Sequence, residues 1–372
     1  MTESIQLGEL TIEVTRKEVK NVHLSVHPPT GHVTLVAPTN TRLEVARAYA
    51  ISKLGWIRAQ QEKLQAQARE TPRQFVERES HYLWGGTLQA LGLILRRKPD
   101  VILLTGGWVG LPVALSGWLL RVPSLIYLPD IEPGLAIKLL RHFATRVAVT
   151  ADASKQYFRA GQAVVTGYPT RDSLKQATRA AAIEHFGLDP ARKTVLVWGG
   201  SRGARTINHA LLDALPELLA FGVQIIHVTG TLDWGDLQKR AEDLGMGRVE
   251  AFRHYHPYAY LHDDVGLALA AADLTVSRAG ASVLGEYPLF GLPSILVPYP
   301  YAWRYQKVNA EYLSERGAAI FMRDEDMARD LLPTIQSLLT GNRLAEMQTH
   351  AAALSVPDGA GNVAQQLIEL AG

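Results

Sequence analysis

Apolar and polar positions follow three successive patterns along the chain, and each pattern predicts different elements. Residues 1–70 open with short segments of alternating character, which predict strands at 10–15, 22–27 and 32–37. The intervening Pro-Pro-Thr-Gly at 28–31 predicts a turn. We therefore expect a small sheet at the start of the chain.

A long helix is predicted after this sheet. Thr41 is expected to be its N-cap, because Glu44 stands three residues later in the capping-box position. Apolar residues then recur at helical spacing to about Ala68, opposite a basic face that is expected to be solvated. Residues 71–87 show no sustained period, so an irregular segment is predicted there.

From Leu88 onward, apolar runs of strand length alternate with helical periods, which is typical of doubly wound parallel sheets. A break at 167–169 divides this region into two series. The predicted strands are 100–105, 124–128, 146–149, 163–166, 194–198, 223–228, 248–251, 273–276 and 294–298. The predicted helices include 204–220, 235–244, 281–290, 305–316 and a last one at 361–370.

The composition narrows the class of protein. Of the 372 residues, 47% are hydrophobic and 20% are charged, which is typical of a soluble globular chain. A net charge of +2 implies no polyanionic partner, so we expect no nucleic acid, and the absence of cysteine excludes disulfides and thiol chemistry. The polar start predicts no secretory signal.

Residues 101–129 carry one charge, Arg121, but glycines and prolines divide them into pieces that suit a buried sheet, with membrane-surface contact as the alternative.

A glycine-rich turn follows the predicted strand at 194–198. Gly199, Gly200 and Gly203 precede a helical pattern, so free backbone N–H groups at the helix start would suit a phosphate. The spacing fits neither a Walker A loop nor the GxGxxG dinucleotide fingerprint. A plain strand-to-helix turn that needs glycine for packing therefore remains an equal alternative on the loop alone.

Other polar residues follow predicted strands, where sites gather in open α/β sheets. Arg171 is placed to hold a diphosphate, although a surface salt bridge is the simpler alternative. Glu286, predicted more than one turn inside its helix, is placed to bind sugar hydroxyls, although it resembles an ordinary surface carboxylate. Gln306 and Asn309 lie about one helical turn apart and can face one cleft. Histidines at 254, 256 and 262 are interpreted as loop residues, since no HExxH or supporting carboxylate accompanies them.

Several motifs together resemble one family in their order and spacing, over about residues 87–372. The motifs are GGW (106–108), TGYPTR (166–171), GGSRGAR (199–205), SRAGASVLGE (277–286), GLPSILVP (291–298), and Gln306 with Asn309 and Ala310. Through these motifs the chain resembles the MurG family of N-acetylglucosaminyltransferases, which convert lipid I to lipid II in peptidoglycan synthesis. The resemblance implies a GT-B fold, with two Rossmann-like domains and the sugar nucleotide between them.

The resemblance also implies site residues. Arg171 and Ser201 match positions that hold the donor diphosphate, Glu286 matches the ribose contact, and Gln306 matches a contact to the donor sugar. Asp130 stands where the family has asparagine, and His262 aligns loosely with the uracil contact. The donor-binding residues implied are Asp130, Arg171, Ser201, His262, Ala281, Ser282, Val283, Leu284, Gly285, Glu286 and Gln306, with Gly199, Gly200 and Gly203 as the phosphate loop.

The activity implied is transfer of N-acetylglucosamine from UDP-N-acetylglucosamine to a polyprenyl-diphosphate-linked muramoyl peptide, with inversion. No cofactor and no metal are expected, since the donor is a substrate, and no catalytic base is assigned. The resemblance implies a cytoplasmic protein that lies peripherally on the inner face of the cell membrane and serves cell shape and division.

The front of the chain departs from that family. No glycine-rich GGTGGH loop is present, and residues 1–87 resemble the N-terminal part of SprT/YgjP-like metallopeptidases without their HExxH. The fold class expected is therefore α/β and GT-B-like, with an incomplete first domain and a small α+β segment before it. We predict domains at 1–87, 88–166 and 167–360, and a terminal helix at 361–372.

Alternatives to the transferase activity stay open from the sequence. The chain is either an active transferase or a protein that binds the donor without transferring it, since part of the acceptor domain is replaced. A zinc metallopeptidase-related protein is the weaker alternative. The join near Gly86–Thr87 is alternatively a sequencing error, which resequencing codons 80–95 would reveal.

Overall fold

The computed structural model describes residues 2–7, 10–17, 19, 22–27, 32–58, 79–200, 203–300 and 305–372. The chain divides into two compact units, residues 1–79 and 80–372, which are described separately. In the part of the chain that the structure describes, no helix combines the length and apolarity needed to cross a membrane.

The first unit contains a four-stranded sheet and a helix. Three of its strands lie where the alternation predicts them, and a further strand precedes them. Alternate residues such as Ile12, Val14 and Leu35 are buried against Ala46 and Ala50 of the helix. The elements are β1 (Thr2–Leu7), β2 (Leu10–Lys17), β3 (His23–His27), β4 (His32–Pro38) and α1 (Leu43–Ser52). The strands lie in the order β1-β2-β4-β3 in the sheet, and only the β2–β4 pair is parallel.

The predicted start of helix α1 is wrong. The N-cap is Arg42, whose side chain makes no capping hydrogen bond, and the Thr41 N–H instead donates to the Pro38 carbonyl in a turn. The turn continues from strand β4, and it sets where the helix begins. Helix α1 ends at Ser52, with a short helical stretch at 54–58. The rest of the predicted helix, to Ala68, and the predicted turn at 28–31 lie outside the described residues.

The second unit begins with a helix where an irregular segment was predicted. Helix α2 (Glu79–Arg97) extends through Gly86 and Thr87, so the junction inferred from the two resemblances lies inside a continuous helix. Ala90 and Ile94, four residues apart, are buried on one face. The prediction failed because two glycines at 85–86 obscure the helical period in the sequence.

The next sheet has four parallel strands in the order β5-β6-β7-β8. Leu125, Ile126, Val147 and Val149 are buried, as expected for strands covered on both faces. Its elements are β5 (Ile102–Leu104), α3 (Gly110–Leu119), β6 (Ser124–Leu128), α4 (Leu135–Leu140), β7 (Arg146–Val149), a 3₁₀ helix (Asp152–Tyr157) and β8 (Ala163–Val165).

The last sheet has six parallel strands in the order β11-β10-β9-β12-β13-β14. Helices cover both faces. The strands are β9 (Thr194–Trp198), β10 (Gln224–Val228), β11 (Tyr255–Tyr258), β12 (Leu274–Ser277), β13 (Ser294–Leu296) and β14 (Ala319–Phe321). The α-helices are α5 (Asp172–Gln176), α6 (Arg179–Phe186), α7 (Arg205–Ala220), α8 (Trp234–Asp243), α9 (Val265–Ala271), α10 (Val283–Phe290), α11 (Tyr305–Glu315), α12 (Met327–Thr340), α13 (Arg343–Ala353) and α14 (Gly359–Ala371).

One strand of this sheet was predicted at the wrong place. Residues 248–251 form no strand; Glu250–His254 is a 3₁₀ helix, and the strand that pairs with β10 is β11. Strand β11 contains Pro257, which discourages a strand prediction. Because β11 lies at the sheet edge, its proline is tolerated.

The terminal helix α14 returns to the four-stranded sheet. Val363 packs on Leu125 and Ala148, and Arg146 donates to Gln366 and Glu369 at 2.6 and 2.8 Å. The predicted helix at 361–370 is therefore present, and it connects the end of the chain to the four-stranded parallel sheet of the second unit. This contact holds the two sheets of the second unit together.

Candidate active site

The glycine turn lies at the topological switch point of the six-stranded sheet. Strand β9 has β10 on one side and β12 on the other, so the connections after β9 and β12 leave the sheet in opposite directions. Ligands of open α/β sheets bind at the carboxyl ends of such strands. The two segments that were singled out in the sequence, 199–205 and 278–286, both begin there.

Close backbone atoms require glycine at positions 199 and 203 of the turn, and a positive φ favours glycine at position 200. A Cβ on Gly199 would lie 2.2 Å from the Ala204 nitrogen, and one on Gly203 would lie 2.3 Å from the Thr229 carbonyl oxygen. Gly200 and Gly203 have φ near +80° and +77°, and the Gly203 N–H donates to the Gly200 carbonyl at 2.9 Å. The turn is therefore tightly closed. Ser201 lies outside the described residues.

Helix α7 starts directly after this turn and presents its N-terminus to the site. Ala204 is the N-cap and supplies no side-chain capping bond, so the first N–H groups of the helix have no local side-chain acceptor at that residue. These groups and the positive end of the helix dipole favour an anion. A phosphate is the natural ligand for this arrangement.

The second segment, after β12, forms the start of helix α10. Its N-cap is Ser282, and the Glu286 N–H donates to the Ser282 carbonyl at 2.8 Å. Glu286 therefore lies in the first helical turn, and the prediction that it lies deeper is wrong, because Ala281 and Ser282 precede the helix proper. Val283 and Leu284 are buried, so any contact that they make to a ligand is through the backbone.

Glu286 is a half-buried carboxylate with charged neighbours. Burial raises its pKa above the ordinary value, while a hydrogen bond with Ser282 and the charge of Arg171 act in the opposite direction. Arg171, the N-cap of helix α5, also acts on Tyr168, so these three residues lie within electrostatic reach of one another. Arg171 and Glu286, which the resemblance implies as donor-binding residues, thus lie within electrostatic reach of each other.

Tyr168 is a residue of this site that the sequence analysis missed. A Cβ on Gly285 would lie 2.2 Å from the Tyr168 Cβ, and one on Gly359 would lie 2.4 Å from its carbonyl oxygen. Gly285 and Gly359 are thus glycines because Tyr168 packs between them. The Gly-Tyr-Pro break at 167–169 and the TGYPTR motif both contain Tyr168, but neither indicated a contact that it makes.

Within the second unit, Asn309 connects the four-stranded parallel sheet with the six-stranded sheet. Its Oδ1 accepts from the Ile131 N–H at 3.1 Å, and its Nδ2 donates to Asp130 Oδ1 at 2.8 Å and to the Ala279 carbonyl at 3.2 Å. Asn309 is fully buried. Burial raises the pKa of Asp130, partly offset by the bond from Asn309.

Gln306 and His262 have more peripheral positions. Gln306 is half-buried, and its Oε1 accepts from the Tyr299 N–H at 2.9 Å, so it faces the loop after β13, whereas Asn309 faces Asp130. His262 is exposed, and its ring lies edge-on to Tyr260 at 4.7 Å. Among the described residues, no group of three or more His, Asp or Glu side chains is arranged to hold a metal ion.

Comparison with known families finds two matches along the chain. The model described as "Glycosyltransferase family 28 C-terminal domain" matches residues 194–363, which include the whole six-stranded sheet. The model described as "YgjP-like, metallopeptidase domain" matches residues 20–96. The second match ends inside helix α2, one residue before its last residue. Both resemblances seen in the sequence are therefore confirmed.

Individual relatives agree with the first match. A UDP-N-acetylglucosamine–N-acetylmuramyl-(pentapeptide) pyrophosphoryl-undecaprenol N-acetylglucosamine transferase of Roseiflexus sp. (strain RS-1) is 40% identical, covering 75% of this chain and 71% of its own. The protein of that name from Desulforamulus reducens is 36% identical, covering 75% and 76%.

Solved structures show the same fold. MurG of Acinetobacter baumannii superposes with a TM-score of 0.64 at 24% identity, covering 78% of this chain and 79% of that one. A UDP-GlcNAc 2-epimerase from Neisseria meningitidis bound to UDP-GlcNAc has a TM-score of 0.55 at 12% identity. These likenesses confirm the predicted α/β fold with two Rossmann-like domains. With relatives of 36–40% identity aligned over three quarters of its length, the chain belongs to the MurG family of N-acetylglucosaminyltransferases.

Proposed function

We propose that this chain transfers N-acetylglucosamine from UDP-N-acetylglucosamine to lipid I, the undecaprenyl-diphospho-muramoyl peptide, to give lipid II. The observation that carries the proposal is the closed glycine turn at the switch point of the six-stranded sheet. It places an uncapped helix start at the end of β9, whose neighbour β12 is followed by helix α10 with Glu286 in its first turn. Family membership supplies the donor and the acceptor.

The donor would bind along the carboxyl ends of β9 and β12. Its diphosphate would lie against the N-terminus of helix α7 and accept bonds from Arg171 and Ser201. The backbone of Ala281–Gly285 would hold the nucleoside, with Glu286 on the ribose hydroxyls. Asp130 and Gln306 would face the sugar, and His262 would face the uracil.

The chemistry would be a direct displacement. The acceptor hydroxyl oxygen attacks the anomeric carbon and releases its proton to solvent, the bond from that carbon to the β-phosphate oxygen breaks, and UDP leaves with the electron pair. The helix dipole, free N–H groups and Arg171 stabilise the negative charge that develops on the leaving diphosphate. No cofactor takes part in this scheme, and no general base is assigned.

We also propose that the chain contacts the inner face of the cell membrane peripherally. Trp108, Val109 and Leu135 expose 62, 87 and 57% of their surface, and Leu139 is also exposed. These side chains lie at the start of helix α3 and on helix α4, which pack together, and exposed apolar side chains on neighbouring helices suit a lipid headgroup region. Vesicle flotation of a Trp108→Ser/Leu135→Ser variant should be reduced, whereas Leu232→Ser, an exposed leucine near α8, should float like the unchanged chain.

The activity is tested by incubating the full chain with UDP-N-acetylglucosamine and a lipid I analogue and measuring the disaccharide product. Calorimetric titration of UDP is run in parallel. Product together with UDP binding supports the transferase. UDP binding without product would support the donor-binding alternative, and a chain that does not bind UDP would contradict both.

A further inference from the structure

A chain of three buried hydrogen bonds extends beneath the glycine turn. Tyr255 Oη lies 2.8 Å from His227 Nδ1, and His227 Nε2 lies 3.0 Å from Asn208 Oδ1. Asn208 Nδ2 in turn donates to the Thr229 carbonyl at 2.8 Å. His227 and Asn208 are completely buried, and Tyr255 is nearly so. The bonds connect strands β11 and β10 with helix α7.

The donor and the acceptor of each hydrogen bond can be assigned by starting from the Thr229 carbonyl. The Thr229 carbonyl can only accept, so Asn208 must turn its amide nitrogen toward it and its oxygen toward His227. His227 must then carry its proton on Nε2, and its Nδ1 accepts from the Tyr255 hydroxyl. Burial lowers the pKa of His227 to about 3, so the ring is neutral at pH 7 and this tautomer persists.

The series of hydrogen bonds ends at the Thr229 carbonyl, against which the glycine turn packs. The Thr229 oxygen is the atom that a Cβ on Gly203 would approach to 2.3 Å, so Gly203 rests directly on it. Asn208 lies in the first turn of helix α7, where its N–H donates to the Ala204 carbonyl at 2.9 Å. One side chain thus ties the helix start to the surface on which the turn lies.

We propose that the Tyr255–His227–Asn208 chain is a positioning network for the diphosphate part of the donor site. The network sets the spacing between Gly203 and the first N–H groups of α7, which are the groups that would contact phosphate. It reaches no part of the segment after β12, where the nucleoside would lie. This inference rests on the proposed function, because it assumes that a nucleoside diphosphate binds here.

The experiment compares UDP with uridine, which lacks the diphosphate. Asn208→Leu and His227→Leu should raise the Kd for UDP about tenfold or more, while the Kd for uridine changes less than twofold. His227→Gln keeps an N–H that can donate to Asn208, so its UDP affinity should stay within about threefold of the unchanged chain. Tyr255→Phe removes one hydroxyl and should have an intermediate effect, which keeps the test valid if Asn208→Leu does not fold.

The matched control is Leu218→Ala, a buried residue near the other end of helix α7. It should lower the Tm without changing the ratio of UDP to uridine affinity. If the network variants behave like this control, the network serves stability alone and the inference is wrong. If the unchanged chain binds neither ligand, the donor site itself is wrong, and the inference falls with it.

Discussion

The two edges of the six-stranded sheet at which its strands begin (the amino edge) and end (the carboxyl edge) differ in how far their polar groups are hydrogen-bonded within the chain. At the amino edge, Asp273 precedes strand β12 and is almost fully buried. Its Oδ2 accepts from Arg179 at 2.9 Å and from the Thr194 N–H at 2.8 Å, and its Oδ1 accepts from Lys193 at 2.9 Å. Gln224, at the same edge, likewise uses both its oxygen and its nitrogen within the chain.

At the carboxyl edge, binding capacity is left over. The N-cap residue of helix α7 makes no side-chain capping bond, and the glycines of the turn before it place no side chain between the helix start and solvent. Burial raises the pKa of Glu286 there, whereas the buried Asp273 is surrounded by donors. Polar residues that are saturated within the chain stabilise the fold, while those left partly unsatisfied at a strand end are suited to a ligand.

The largest effect is expected from Gly203→Val at the carboxyl edge. The side chain would collide with the Thr229 carbonyl and would need a positive φ, so the turn must rearrange. UDP affinity should fall more than about a hundredfold by titration. Gly235→Ala, in helix α8 with open space around it, is the control and should bind UDP normally. Normal binding by Gly203→Val would remove the turn from the site.

At the amino edge, Asp273→Asn should destabilise the fold without changing ligand affinity. The substitution removes acceptor charge from a buried carboxylate that Arg179 and Lys193 pair with, and we expect a loss of about 2–3 kcal/mol in the free energy of unfolding. Urea denaturation measures the loss, and UDP titration below the transition should be unchanged. Asp236→Asn, at an exposed position, should change neither. A weakened UDP affinity at unchanged stability would reverse the contrast between the edges.

Glu286→Ala should weaken donor binding without a large stability change. Loss of a hydrogen bond to a charged group is expected to cost roughly 1–3 kcal/mol of UDP binding. Uridine should lose affinity by a similar factor, since the proposed contact is to the ribose, which distinguishes Glu286 from the network under the turn. Glu217→Ala, an exposed glutamate on α7, is the control. Unchanged UDP and uridine affinities would remove Glu286 from the site.

The effect expected to be smallest near neutral pH is the acid sensitivity of His227. Its pKa is lowered from 6.5 to about 3 in the folded chain, so only the unfolded chain takes up this proton as the pH falls below 6.5. The contribution to stability is therefore constant above pH 6.5 and declines toward pH 3, by about 1.4 kcal/mol at one unit below 6.5. The difference in unfolding free energy between the chain and its His227→Gln variant should follow this curve. A difference that does not vary with pH would contradict a buried neutral ring.

Much of the second unit was predictable from short-range pattern. Strands at 124–128, 146–149 and 194–198 lie where they were predicted, because buried parallel strands are continuous apolar runs that end at turn residues. The family and the α/β class were also predictable, since glycine and charged residues recur at fixed spacing after those strands. The predicted domain boundaries, and the roles of the individual donor-binding residues, remain predictions.

Helix starts and edge elements were not predictable in the same way. Threonine is a residue type that favours the N-cap, but Thr41 lies in the preceding turn and the N-cap is Arg42. The strand at 255–258 depends on its pairing with β10, which an isolated segment with a proline does not reveal. Local preference in these cases is worth about 1 kcal/mol and is overridden by long-range packing.

By itself, the sequence determined most of the parallel strands of the second unit, the glycine turn and the resemblance to the family, because these depend on residues close together in the chain. Only the tertiary structure decided what those residues face. It brought Arg171 within electrostatic reach of Glu286, Asn309 to Asp130, and His227 to Asn208, across separations of up to 179 residues. Such contacts follow from sheet order and helix packing, in which distant segments meet at one edge, and no local pattern carries that information.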